Sequence, residues 1–266
     1  MRCTFDLGCA VLGVAALVAG CSGLNSESTS RSTTSVAGSG VIRGSVTVFA
    51  AASLRSTFGK LGEQFRAAHI GTDITFDFAG SSDLVTQLTH GAPADVFASA
   101  DEKNMTKAVD ATLLSGDPVK FATNTLTIVT PKGNPKGVAS FADLAKSGVS
   151  VVVCAPQVPC GSATQKVEQI AGVKLTPVSE ESAVTDVLGK ITSGQADAGL
   201  VYLTDAKGAG DAVSAVSFPE SGAAVNTYPI AVLKDSKNAK AAQAFVDLVT
   251  GPAGRKVLAE AGFGAP

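Results

Sequence analysis

The sequence predicts an α/β fold, a mostly parallel sheet covered by helices, on three observations. Strand-like apolar runs alternate with helical patterns from Val46 to the C-terminus, as in strands linked by helical crossovers. From Ser45 to Pro266 the chain is long enough for one large domain or two lobes. Several apolar runs also stop at small residues and a serine just where a helical pattern begins, most clearly in FAAASL at Phe49–Leu54 and FAGSSDL at Phe78–Leu84.

Strands are expected at Val46–Ala50, Asp73–Phe78, Asp95–Ala98, Thr125–Thr130, Val149–Cys154, Ala198–Tyr202 and Tyr228–Leu233. Between the first two, Leu54, Phe58, Leu61, Phe65 and Ala68 recur at helical spacing and form one apolar stripe facing the core. A second helix starts at Ser81 or Ser82, turns Leu84, Val85 and Leu88 inward and stops at Gly91. Ser81 stands where an N-cap belongs, and Gly91 where a left-handed residue ends a helix. Asp83 in its first turn suits the helix dipole and is expected to face solvent. Pro93 shapes the turn into the next strand, with Asp95 capping local amides or orienting a hinge. Later helices fit Gly161–Ala171, Ala183–Ser193, Ala239–Thr250 and Pro252–Ala261, the last with proline in its first turn.

Residues 1–20 have the layout of a secretory signal peptide: Arg2, an apolar run from Ala10 to Ala19, and a small-residue cleavage site. The run is too short to be read as a membrane span. Val18-Ala19-Gly20-Cys21 resembles the lipobox of bacterial lipoproteins. That implies a diacylated Cys21, carrying palmitate-type chains, which tethers an exported domain to the outer face of the cell membrane. The alternative is an ordinary secreted protein with an incidental cysteine. Residues 21–44 are rich in Ser, Thr and Gly, with almost nothing to bury, and read as a flexible linker.

The 21 basic and 23 acidic residues nearly balance, and no Lys/Arg run or aromatic-basic interleaving occurs, which excludes a nucleic-acid partner. Of the five cysteines, Cys3 and Cys9 leave with the signal and Cys21 is the lipid site. Cys154 and Cys160 remain, and an oxidising compartment leaves both a disulfide and two free thiols open. His69 and His90 close two helices with no carboxylate or cysteine at metal-ligand spacing, so neither a metal site nor a catalytic base is expected there. Cofactors are expected to be none.

Open α/β sheets place ligands where strand ends meet helix N-termini. Four such junctions stand out: Ala52-Ser53, Gly80-Ser81-Ser82, Pro159-Cys160-Gly161 and Ser182-Ala183-Val184, with Tyr202 closing a fifth strand. None has Lys, Arg or His at its tip. Backbone N–H groups, hydroxyls and a phenol are donors without formal charge, a suitable lining for an anion. A fully ionised tetrahedral dianion accepts at every oxygen. An anion still carrying a proton would leave it unpaired, at about 1–3 kcal/mol, so phosphate at neutral pH is disfavoured. Size must then separate sulfate from molybdate and tungstate.

VTVFAAASL, FAGSSDL, GAPADVFASAD, VPCG, AGLVYLTDA and YPIAVL, in that order, resemble the molybdate-binding component of bacterial ABC importers, a periplasmic-binding-protein family of type II. The resemblance implies two α/β lobes joined by two crossing strands as a hinge, residues 45–125 and 224–266 forming lobe 1 and residues 126–223 lobe 2. It implies a monomer that holds molybdate, and also tungstate, between the lobes and presents it to an ABC permease without enzyme activity. Carried over residue by residue, the ligands are Ser53, Ser81, the amide of Cys160 where the family pattern usually has alanine, the amide of Val184, and the hydroxyl of Tyr202. A receptor for another oxyanion such as sulfate is the alternative. A hydrolase using Ser53 or Ser81 lacks a Gly-x-Ser-x-Gly elbow and a histidine base, and the sensory half of a transcription regulator is set aside by export. Taken singly, Ser53 and Ser81 read as N-caps and Tyr202 as a packing residue.

Overall fold

The first apolar run forms β1 (Gly44–Ala51), with Val46, Val48 and Ala50 fully buried. It pairs in parallel with β2 (Thr72–Ala79) on one side and β3 (Val96–Ala98) on the other. The structure, a computed structural model, describes residues 42–266, so the signal peptide, Cys21 and most of the linker lie outside the described residues. After β1 the chain makes one 3-10 turn, Ala52–Leu54, and enters α1 (Arg55–Ala68). Leu54, Phe58, Leu61 and Phe65 of the predicted stripe are buried, whereas Ala68 is exposed because the helix ends there. α2 (Ser81–Thr89) follows β2 and ends at Gly91, whose φ of +86° is the left-handed conformation glycine adopts without strain.

Two elements here were not expected from the sequence, α3 (Glu102–Asp110) and β4 (Val119–Asn124). α3 is mostly polar and turns only Met105, Ala108 and Asn104 inward, and β4 begins with two exposed residues, so neither shows a clear apolar period. From β4 the chain passes through Thr125 directly into β5 (Leu126–Pro131) and a second sheet, which contains β6 (Val151–Cys154), β7 (Ser179–Glu181), β8 (Ala198–Tyr202) and β9 (Val213–Val216). Its helices are α4 (Pro159–Ala171), α5 (Val184–Thr192) and α6 (Leu203–Ala209). The chain then returns to the first sheet as β10 (Asn226–Val232) and closes with α7 (Ala239–Thr250) and α8 (Pro252–Ala261).

The sheet orders are β2-β1-β3-β10-β4 and β7-β6-β8-β5-β9. Each is mixed, because the strand that follows a crossing between sheets runs against the rest: β10 is antiparallel to β3 and β4, and β5 to β8 and β9. The remaining pairings are parallel, as helical crossovers require. The first sheet is covered on both faces. Phe58, Phe65 and Phe76 pack on Phe245 of α7 on one side, and Leu84, Val85, Leu88 and Met105 from α2 and α3 pack on Phe49 and Phe97 on the other. At the crossings Asn124 and Asn226 are direct cross-strand partners.

Candidate functional site

Four helical segments start at the C-terminal ends of their strands and point at one place. The 3-10 turn after β1 begins at Ala52, α2 at Ser81, α4 at Pro159 and α5 at Val184. No side chain caps any of them, so the first N–H groups, which lack intrahelical acceptors, stay bare. α3, by contrast, is capped in the ordinary way, with Asp101 accepting the Asn104 N–H at 2.8 Å.

Ser53, Ser81, Cys160, Val184 and Tyr202, all singled out by the sequence, line a single cavity, together with Gly80, Ala100, Val158 and small neighbours. Its space is about 200 Å³ including the mouth, and no Lys, Arg, His, Asp or Glu lines it. A larger surface groove of about 1090 Å³ lies at the opposite ends of the parallel strands, beside Thr47, Asp95, Asp235 and Lys237. It touches none of the four junctions.

Neither serine is an N-cap. Gly80, extended at φ −61° and ψ 139°, occupies the cap position of α2, and Ser81 is the first helical residue, with its Oγ accepting the Ala100 N–H at 3.0 Å. A cap must leave its strand extended, and Gly80 does so one residue earlier than the sequence reading placed it. Ser53 sits inside the 3-10 turn, its Oγ 3.1 Å from the hydroxyl of Tyr228. Cys160 is the second residue of α4 and is joined by a disulfide to Cys154 at the end of β6, with a Cα–Cα distance of 5.6 Å. The bond spans the loop that delivers Val158 and Pro159 to the cavity. Val184, first in α5, is 3% exposed and offers only its amide and an apolar wall.

Tyr202 is buried at the end of β8, and its hydroxyl accepts from Nδ2 of Asn226 at 2.9 Å. Burial, reinforced by neighbouring Tyr228 and Asp101, holds its pKa well above the ordinary phenol value, so it keeps its proton and stays a donor. Burial likewise raises Tyr228. Asp205, in the first turn of α6, accepts the Tyr202 N–H at 3.1 Å; although part of the residue reaches solvent, desolvation of its carboxyl pushes it up to about 7. Asp95 lies away from the cavity, accepting the Thr47 N–H at 2.8 Å and the Ser236 hydroxyl at 2.5 Å. Asp83 is partly exposed and outside the lining. Among the described residues no cluster of His, Cys, Asp or Glu could hold a metal ion.

The sequence reading missed Gly80 as the point where the lobes meet, and Ala100, Asn226 and Tyr228 as partners of the lining residues. Asn226 opens an apolar strand and alone signals nothing; its role depends on a crossing that brings it beside Tyr202.

The profile of bacterial extracellular solute-binding proteins matches residues 46–264. This chain belongs to that family. Solute-binding proteins bind rather than transform, and this one has their two-lobed α/β fold. A molybdate-binding protein ModA of Mycobacterium tuberculosis is 55% identical over 222 residues, covering 84% of this chain and 85% of the relative. The ModA of Escherichia coli is 31% identical over 233 residues, 83% of this chain and 89% of that protein. The periplasmic molybdate-binding protein of Azotobacter vinelandii, 23% identical, shares the fold with a TM-score of 0.72 over 83% of this chain and 99% of its own.

Proposed function

We propose that this solute-binding protein captures molybdate, and also tungstate, outside the cell and delivers it to the permease of an ABC importer. The observation that carries the reading is the convergence of four uncapped helical starts on a cavity with no charged side chain. Such a lining gives many donors and no carboxylate to accept a ligand proton, which favours a bare dianion over hydrogen phosphate. Mycobacterial and enterobacterial relatives named for molybdate support the choice among dianions.

In this reading Ser53 and Ser81 donate through hydroxyl and amide, Cys160 and Val184 through their amides, and Tyr202 through its hydroxyl. The lobes, residues 45–125 with 224–266 and residues 126–223, close on the anion, and closure is what the permease recognises. Cys21 carries the lipid that holds the monomer at the outer face of the cell membrane, with residues 21–44 as its tether. No cofactor takes part.

Titration calorimetry at neutral pH with molybdate, tungstate, sulfate and phosphate tests the reading. Molybdate and tungstate are expected to bind tightly, with sulfate far weaker and phosphate silent. Tight sulfate binding with no response to molybdate would replace the ligand, and silence for all four would remove the anion reading altogether.

A further inference from the structure

Asn226 is 6% exposed, at the first position of β10, where the chain re-enters the first sheet. Its Nδ2 lies 2.9 Å from the carbonyl of Ala100, 3.4 Å from the carbonyl of Pro159 and 2.9 Å from the Tyr202 hydroxyl. Two carbonyl oxygens can only accept, so the amide nitrogen, not the amide oxygen, must face this group of atoms. The third neighbour is therefore also an acceptor in this contact: the Tyr202 oxygen receives a proton from Asn226.

A phenol that accepts on its oxygen still has its own hydrogen to give. Burial keeps that hydrogen in place, and beside Asn226 the other polar group close to the hydroxyl is that of Tyr228. Tyr202 lines the cavity, where an anion is a stronger acceptor for that hydrogen than the neutral hydroxyl of Tyr228. Asn226 also ties both sides of the cleft to itself, since Ala100 follows β3 of the first sheet while Pro159 and Tyr202 belong to the elements of the second.

We propose that Asn226 is a positioning residue for anion binding: by donating to the Tyr202 oxygen it fixes the Tyr202 hydroxyl as a donor toward the oxyanion. This rests on the oxyanion-binding reading of the cavity. A polarity filter follows from it, because a guest that needed an acceptor at this corner would find the tyrosine oxygen already engaged.

The test is a double-mutant cycle by molybdate calorimetry on the full exported protein, using Asn226→Ala, Asn226→Asp, Tyr202→Phe and the Asn226→Ala/Tyr202→Phe pair. Asn226→Asp offers an acceptor that turns the Tyr202 hydrogen away from the guest and is expected to weaken binding by about 100-fold, and Asn226→Ala by about 10-fold. In the Tyr202→Phe background, Asn226→Ala is expected to cost less than about 2-fold, since there is no hydroxyl left to orient. An equal cost in both backgrounds would reduce Asn226 to a strap between lobes and overturn the inference while leaving the binding reading intact. Wild-type protein silent to molybdate and tungstate would overturn both. Should Asn226→Asp fail to fold, Asn226→Ser in the same cycle reads the same coupling.

Discussion

Gly80 lies with its α-carbon against the backbone carbonyl of Ser182, so close that a Cβ at position 80 would have nowhere to go. Gly80 follows β2 in the first lobe, and Ser182 precedes α5 in the second. The backbone angles of Gly80, φ −61° and ψ 139°, suit any residue, so glycine is required by the approach of the other lobe and not by the turn. Gly80→Ala is expected to fold normally and to resist closure, at about 1–3 kcal/mol. The check is ligand affinity, lowered roughly tenfold or more, beside an unliganded melting temperature near wild type.

The serines make a second expectation. Ser53→Ala and Ser81→Ala should each weaken anion binding by about 1.5–3 kcal/mol, the value of a donor to a charged acceptor. Ser81→Ala should also cost some folding stability, because the Ala100 N–H loses the Oγ it bonds at 3.0 Å. Calorimetry with thermal melts separates the two effects. Wild-type affinity in both variants would remove the serines from the site.

The Cys154–Cys160 disulfide closes a short loop at the entrance to α4. In the chain-entropy account a loop of this length is stabilised by about 2–3 kcal/mol. A Cys154→Ser/Cys160→Ser protein is expected to melt several degrees lower. Its binding should weaken modestly, as the loop presenting the Cys160 amide loosens. Reductant should reproduce both changes in the wild type and neither in the variant.

Asp205 sets a pH dependence. Its folded pKa is about 7 against an ordinary value of 3.8, so the native state holds a proton that the unfolded chain has released between those values. Native binding of the extra proton means that this contribution to stability is complete below about pH 4 and is lost as the pH rises through about 7. Asp205→Asn keeps an acceptor for the Tyr202 N–H and removes the charge. The variant is expected to be more stable than wild type by on the order of 1–2 kcal/mol above pH 8, with no advantage at pH 4, as read by thermal melts across that range.

How much of this was legible beforehand follows from how local each signal is. β8 and the last two helices match the expected residues, and the α1 stripe from Phe58 to Phe65 is buried as its spacing implied, because period and burial are written in consecutive residues. β7 and β9 lie at sheet edges with partly exposed residues, and α3 and α6 are short or polar, so their periods are too weak to read. Ser81 was readable as a helix-start residue, yet its hydroxyl is claimed by Ala100, nineteen positions away, which no local pattern reveals.

The sequence by itself determined the class of fold, the strand-to-helix junctions and the absence of charge at their tips, since each is a property of a few adjacent residues. Tertiary structure alone decided that the junctions from two sheets face one cavity, that Gly80 meets Ser182, and that Asn226 stands beside Tyr202. Those relationships span long stretches of chain and arise only where the two crossings bring the two sheets together, so what they set, the direction of a hydrogen bond and the room for a methyl group, cannot be read from neighbours in sequence.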